Sequence, residues 1–318
     1  MALLEVRDLK VYYRTIWGLF RAVDGVSLNV GHKEVLGVAG ESGCGKSTLV
    51  EGVLRLIKPP GFIAGGEVLF KGIDLLKLGD DELRKLRWKE LSYIPQGSMN
   101  SLNPVLRVEE QVIDAIVEHG EYDEEEARAL AREYLKRVGL PADVLRMFPH
   151  ELSGGMKQRV IIAMAMILKP SLVVADEPVT ALDVVSQRLV LQLLRELRDE
   201  YGASLIYVSH DLATHAELVD RMAVMYAGKV VEVGNVEEVF LEPLHPYVQL
   251  LIDSVPKPGK KVVKGIPGVA PSPLNWPPGC RFHPRCPKAM PICSQVEPEL
   301  TDVGEGRAVA CHLYGDTR

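Results

Sequence analysis

Three stretches of the chain carry residue types at spacings suited to chemistry on phosphates. The first, Gly40-Glu41-Ser42-Gly43-Cys44-Gly45-Lys46-Ser47, followed by Thr48, fits G-x-x-x-x-G-K-[ST] without a mismatch. Its glycines let the backbone curl so that successive N–H groups face an anion, and a helix predicted from Lys46 to Leu56 adds the positive end of its dipole. Lys46 is expected to reach the β- and γ-phosphates and the Ser47 hydroxyl to bind Mg²⁺; Cys44 fills a variable position as a small residue. The second stretch, Leu172-Val173-Val174-Ala175-Asp176-Glu177, is an apolar strand ending in two acids, and ligands gather at the carboxyl ends of such strands. Asp176 is expected to hold Mg²⁺, directly or through water, and Glu177 to polarise an attacking water. The third is Leu152-Ser153-Gly154-Gly155-Met156-Lys157-Gln158-Arg159. Here Ser153 suits a helix N-cap and the glycines expose backbone N–H groups, making a second anion-binding helix start. Each stretch also has a plain reading: a Gly-rich turn, two acids after a strand, a capped helix. The first is favoured as a phosphate site because an apolar strand precedes it and a helix follows. The acids gain weight from sharing a chain with that loop.

A fourth set of residues suits metal chemistry. Cys280, Cys286, Cys293 and Cys311 cluster near the C-terminus with the spacing C-x5-C-x6-C-x17-C. In a reducing compartment such a group reads as metal or Fe–S ligation before disulfides. Four thiolates can enclose a [4Fe–4S] cluster. Zinc is the alternative, although its structural sites usually use short C-x2–4-C knuckles, absent here.

The elements that must position these residues alternate. Residues 3–12 and 23–38 read as strands, with Gly31-His32-Lys33 as a turn, and Val35–Ala39 as the buried strand that feeds the Gly-rich loop. Residues 68–70 and 91–94 read as short strands, with a helix between them starting at Asp80-Asp81-Glu82, acids that suit a first helical turn. Residues 105–168 read as almost wholly helical and interrupt the alternation as a helical subdomain, about 97–168. Alternation resumes with strand 172–175, helix 184–198, strand 204–208 and strand 222–225. Val190, Leu193, Leu194 and Leu197 form one apolar stripe on that helix. The pattern predicts an α/β fold. After about residue 254 ten prolines fall between positions 256 and 291, which argues against long regular elements there.

Composition narrows the classes. A net charge of −6 lacks the basic excess of a protein whose main partner is nucleic acid. The N-terminus has no apolar signal-peptide core, and the longest apolar run, Val160 to Leu168, is nine residues, against roughly 20 for a membrane span. The chain is therefore expected to lie in the cytosol, with other chains supplying any membrane part.

The order of the motifs carries more than each alone. The phosphate loop comes first, then Gln96, then the Ser153-Gly154-Gly155 stretch 23 residues before Asp176, then Ala181-Leu182-Asp183 and Ser209-His210-Asp211. Over residues 3–240 this resembles the ATP-binding cassette (ABC) ATPases. The resemblance implies a P-loop NTPase (RecA-like) core with an antiparallel β subdomain and a helical subdomain, spanning residues 1–240. It also implies roles. Tyr13, with Tyr12 as a substitute, stacks on adenine. Gln96 touches Mg²⁺ and the attacking water and couples the site to membrane subunits. Asp183 communicates across a dimer, and His210 contacts the γ-phosphate. Ser153, Gly154, Gly155, Met156 and Gln158 face ATP bound to a second cassette.

Beyond residue 240 the chain resembles the oligopeptide and dipeptide importer ATPases. Leu244-His245-Pro246-Tyr247-Val248-Gln249-Leu250-Leu251, Gly279-Cys280-Arg281-Phe282-His283-Pro284-Arg285-Cys286-Pro287 and Ala308–Leu313 carry that likeness. Ser98 to Pro104 adds to it, although Gly97 stands where that subfamily usually has Asp. Region 241–318 is thus expected to be a small irregular domain with a [4Fe–4S] site at the four cysteines, structural and not redox-active. The implied cofactors are ATP and Mg²⁺. The implied partners are a second, different ABC ATPase, two transmembrane permeases and an extracellular solute-binding protein, with this chain at the cytoplasmic face of the membrane. Similar ATPases serve oligosaccharide or nickel uptake. A non-transport ABC ATPase of DNA repair or Fe–S assembly is opposed by the absence of a long coiled coil between the motifs and by the H-P-Y tail.

Overall fold

The structure, a computed structural model, describes residues 2–255 and 265–315; Pro256 and Pro258 of the Pro-rich stretch lie outside the described residues. It divides into two compact units: residues 1–30, 36–76 and 209–318, and residues 31–35 and 77–208. These do not follow a linear division at residue 240. The C-terminal region clusters with the N-terminal strands.

In the first unit, a four-stranded antiparallel sheet runs in the order Gly18–Val30, Leu4–Thr15, Gly61–Phe70, Ile73–Asp74. Leu4 sits opposite both Val30 and Phe70, and all three are buried, so the alternation of this strand fixes its register. The same unit holds strands in the order Thr301–Gly304, Arg307–Val309, Lys229–Asn235, Arg221–Tyr226, Val35–Ala39. Val35–Ala39 and Arg221–Tyr226 are parallel, and the others are antiparallel. Helices Lys46–Val53, Leu212–Leu218, Val236–Leu241 and Pro246–Asp253 complete the unit. The predicted helix from Lys46 ends at Val53, ahead of Pro59 and Pro60, which cannot continue it.

In the second unit, Ser204–Val208, Leu172–Asp176 and Leu91–Ile94 lie in that order, all parallel. Every residue of Leu172–Asp176 and Ser204–Val208 is buried, as continuous apolar runs in parallel sheets require. Helix Val184–Tyr201 buries the predicted stripe of Val190, Leu193, Leu194 and Leu197 and ends at Gly202, whose φ of 69° suits a left-handed cap. The helical block is not continuous. It consists of Val108–His119, Glu124–Arg137 and Gly154–Met166, with 3-10 turns at Ala142–Arg146 and Pro149–Glu151 between the second and third. Pro141 and Pro149 stand at the starts of those turns, where a missing N–H breaks the helical ladder. Asp123 caps the middle helix by accepting from the N–H groups of Glu125 and Glu126, both at 2.9 Å.

The tail contains short 3-10 turns, His283–Arg285 and Pro291–Ser294. It also contains a hairpin whose second strand pairs with Lys229–Asn235, Val309 opposite Glu232. Glu232 is fully buried and meets Arg307 at 2.7 Å, while the N–H of His245 donates to it at 2.7 Å. Losing either charge of such a pair leaves the other buried and uncompensated. Among the described residues, no helix is long and apolar enough to cross a membrane.

Candidate functional site

The phosphate loop leaves the buried strand Val35–Ala39. Gly40 has φ 147°, and a Cβ there would lie 2.3 Å from the carbonyl oxygen of Met225; at Gly45, φ 107°, it would lie 2.3 Å from that of Ala22. Only glycine fits either position, so the motif's end glycines are demanded by crowding as well as by curvature. Gly45 caps the helix that begins at Lys46, and its left-handed backbone turns the loop into the helix start. Lys46 is buried, its ammonium donating to the carbonyls of Gly40 at 2.8 Å and Glu41 at 3.1 Å and lying 3.9 Å from the Cys44 sulfur. The lysine thus spans the loop it serves. Cys44 is buried and its thiol pKa is raised by that burial, in keeping with a small packing residue. The N–H of Glu41 donates to the Tyr247 hydroxyl at 2.8 Å; Ser42 and Gly43 are exposed, and Ser47 and Thr48 half-buried.

In the same unit, Tyr13 is half-buried, edge-on to Phe20, its ring lying over Gly61, where a Cβ would come within 2.7 Å of it. Tyr12 has both ends occupied. Its hydroxyl donates to Asp24 at 2.5 Å and its ring meets Phe62 edge-on. Burial first, then that bond, pushes its pKa up to about 12. His210 is exposed at the loop before helix Leu212–Leu218. His215, in that helix, is buried with its Cδ2 2.5 Å from where a Gly37 Cβ would lie. Its pKa is lowered to about 4, chiefly by burial, which marks it as a neutral core residue.

In the second unit, Asp176 ends its strand fully buried and Glu177 follows with φ 48°. A left-handed φ outside glycine is strained and is found where the surroundings hold it. Here the Glu177 N–H donates to Val208 at 2.8 Å, while its carboxylate accepts from the Gln96 amide and the Thr180 hydroxyl, each at 3.1 Å. Gln96 and Glu177, predicted from distant parts of the sequence, meet directly. Thr180 was not among the predicted site residues. Its only sequence signal is a hydroxyl three positions after the acid, an ordinary feature of turns.

The third stretch also lies in this unit. The Ser153 hydroxyl accepts from the Met156 N–H at 3.3 Å, capping Gly154–Met166, and Ser153 is exposed with Gly154, Gly155 and Met156 half-buried. Asp183 caps its own helix, accepting from the N–H groups of Val185 and Ser186 at 3.0 Å and from the Ser186 hydroxyl at 2.7 Å. The Ser186 bonds hold its carboxyl below the usual range. A Cβ on Gly155 would lie 3.0 Å from that Ser186 oxygen, so Asp183 and the helix start adjoin through Ser186. Gln158 is 3% exposed, and its amide oxygen accepts from the Ser98 hydroxyl. That bond links Gln158 to Ser98, while Ser153, five residues earlier, is exposed.

Three of the four tail thiols are raised above their ordinary range. Burial pushes Cys280 up to about 11, and Cys293, Cys311 and Cys286 add to the rise. Cys286 and Cys311 are raised by burial and by their neighbouring thiols. The backbone of Phe282, Lys288 and Leu313 opposes that rise at Cys280, Cys286 and Cys311 in turn, and the Met290 N–H donates to the Cys293 sulfur at 3.5 Å. Among the described residues no group of three or more His, Cys, Asp or Glu could hold a metal ion as placed.

Comparison with known proteins adds to this geometry. The family described as "ABC transporter" matches residues 23–180, and "Oligopeptide/dipeptide transporter, C-terminal region" matches residues 231–293. The chain is 44% identical over 320 residues to the dipeptide transport ATP-binding protein DppD of Caldanaerobacter subterraneus subsp. tengcongensis, covering 99% of this chain and 98% of that protein. It is 42% identical to the oligopeptide transport ATP-binding protein OppD of Bacillus subtilis, covering 98% and 88%. Among solved structures, a dimeric ATP-binding cassette in a post-hydrolysis state bound to ADP and Pi matches with a TM-score of 0.66 at 31% identity, over 73% of this chain and 98% of that one.

Proposed function

The chain belongs to the ABC transporter ATP-binding family, in its oligopeptide/dipeptide branch, and from that membership we propose that its ATPase activity powers uptake of di- and oligopeptides. The match of residues 231–293 to the transporter C-terminal region carries the choice of cargo. In this reading ATP and Mg²⁺ bind at Gly40–Thr48. Lys46 meets the β- and γ-phosphates, Ser47 and Asp176 hold Mg²⁺, Gln96 and Glu177 set the attacking water, His210 contacts the γ-phosphate, and Tyr13 stacks on adenine. The occupied ring and hydroxyl of Tyr12 support Tyr13 for that role. Ser153, Gly154, Gly155, Met156 and Gln158 contact ATP on a second, different cassette, with Asp183 beside Ser153–Met156. Residues 1–240 serve as the ATPase domain and 241–318 as the transporter-specific region.

The working assembly comprises two such ATPases at the cytoplasmic face, two membrane permeases and an extracellular solute-binding protein. Co-purifying that assembly and measuring ATPase stimulation tests the cargo. Peptides are expected to stimulate; stimulation by an oligosaccharide or by nickel and not by peptides would sink the proposal.

We propose further that Cys280, Cys286, Cys293 and Cys311 hold a [4Fe–4S] cluster, which when bound pins the tail. Four free thiols are the ligand set such a cluster takes, and the Met290 N–H donating to the Cys293 sulfur at 3.5 Å is the kind of hydrogen bond that tunes cluster sulfurs. Anaerobically purified protein is expected to carry iron and sulfide, lost in Cys286→Ser. Zinc without iron would overturn the assignment.

A further inference from the structure

The phosphate loop is held by bonds of its own and also from outside. Glu41, its second residue, is gripped from the C-terminal tail. The Arg285 guanidinium meets the Glu41 carboxylate with both terminal nitrogens, at 2.7 and 3.0 Å. This is the two-pronged geometry that gives an arginine–carboxylate pair both strength and direction. The remaining donors of Arg285 are also used: Nε reaches the Pro267 carbonyl at 2.8 Å, and Nη1 reaches the Tyr226 hydroxyl at 3.2 Å. The side chain is 5% exposed, and a charge so placed is held in one pose by its partners.

Glu41 is fixed at three points. Its carboxylate meets Arg285, its N–H meets Tyr247, and its carbonyl accepts from Lys46 and from the Cys44 N–H at 3.2 Å. The tail supplies the first two anchors. A shift of Glu41 would therefore carry the Lys46 ammonium with it. Arg285 itself sits in the 3-10 turn immediately before Cys286, and the Cys286 N–H closes that turn onto His283 at 3.3 Å.

We infer that Arg285 is a positioning residue for nucleotide binding: through Glu41 it holds the phosphate loop and Lys46 in the conformation that receives the phosphates. Arg285 itself touches no phosphate. The inference rests on Gly40–Thr48 being the ATP loop. It goes beyond that assignment by placing control of the loop's affinity in the tail.

The test uses the full chain, with equilibrium binding of a fluorescent ATP analogue with Mg²⁺ and the thermal midpoint of the nucleotide-free protein. Arg285→Met, which keeps the apolar stem, is expected to weaken binding about tenfold, and Glu41→Gln comparably, with the double variant no weaker than the poorer single, as coupled partners require. Arg285→Lys keeps the charge without the fork and is expected to recover part of the loss. Additive losses, or wild-type affinity in Arg285→Met, would overturn the inference, even with a lowered midpoint. If Arg285→Met does not fold, Glu41→Gln with Arg285→Lys decides: unchanged affinity in both refutes the brace, and weakened affinity in both supports it. A wild-type chain that failed to bind the analogue would instead refute the loop assignment.

Discussion

Glu177 is the residue whose surroundings say most about its work. Its strained backbone points the carboxylate toward Gln96 and Thr180, so an acid that reads as a turn residue in sequence is held in one direction. Glu177→Gln keeps the shape and removes the base. Hydrolysis is expected to fall by about 10²–10⁴-fold, with nucleotide binding kept and a closed dimer trapped, as single-turnover assay and size measurement would show. Hydrolysis at the normal rate in the assembled transporter would refute the catalytic role. Thr180→Val removes one of the donors that aim the carboxylate and is expected to lower kcat several-fold with little change in KM, measured by steady-state kinetics. The loop, the acids and Gln96 were legible as residues because their order along the chain is distinctive. Thr180 was not, because a hydroxyl in a turn has many uses and only the folded backbone turns it toward Glu177.

Elements carry the next level of control. Gly40→Ala and Gly45→Ala would each set a methyl 2.3 Å from a carbonyl oxygen at positive φ. Each is expected to cost at least ~1–3 kcal/mol and to abolish nucleotide binding, checked by urea unfolding and by the same binding assay. The helix starts also bear on pH. His245 caps Pro246–Asp253 by accepting from the Tyr247 N–H at 3.0 Å, and burial lowers its pKa to about 4, as it does for His215. An unfolded histidine titrates near 6.5. Between those values the unfolded chain binds more protons, so stability rises with pH. It is intact above about 6.5 and is lost as pH falls toward 4, by up to a few kcal/mol per histidine. Urea midpoints taken from pH 7.5 down to 4.5 should show that fall. His245→Asn, an alternative cap without the titration, should flatten it, and an equally steep profile in the variant would exclude His245 as a source. The strands and the long helices were readable from apolar runs and the Val190–Leu197 stripe. The break at residues 138–153 was less so, since Pro141 and Pro149 mark it only once the ladder is drawn. The bond between Ser98 and Gln158 was not legible, because helix position alone does not say which residue meets the side chain.

At the scale of the molecule, the tail was read correctly as irregular and Cys-bearing, but its hairpin was not foreseen. Thr301–Gly304 is short and exposed, and Arg307–Val309, buried at both ends, is too short to give an alternating signal; the pairing of Arg307–Val309 with Lys229–Asn235 is accompanied by the ion pair of Glu232 with Arg307. Arg307→Met is therefore expected to destabilise the chain by about 3–5 kcal/mol, because it strands a buried carboxylate; chemical denaturation would measure it, and a loss below 1 kcal/mol would contradict the packing.

The distance along the chain between Glu41 and Arg285 has its own consequence. The two are 244 residues apart, so during synthesis the phosphate loop leaves the ribosome long before the arginine that steadies it exists. A nascent or C-terminally clipped chain would carry every hydrolytic motif and yet grip nucleotide weakly. Tight ATP capture would then serve as a receipt for a finished chain, withheld from fragments that could otherwise compete for partners while unable to complete a transport cycle.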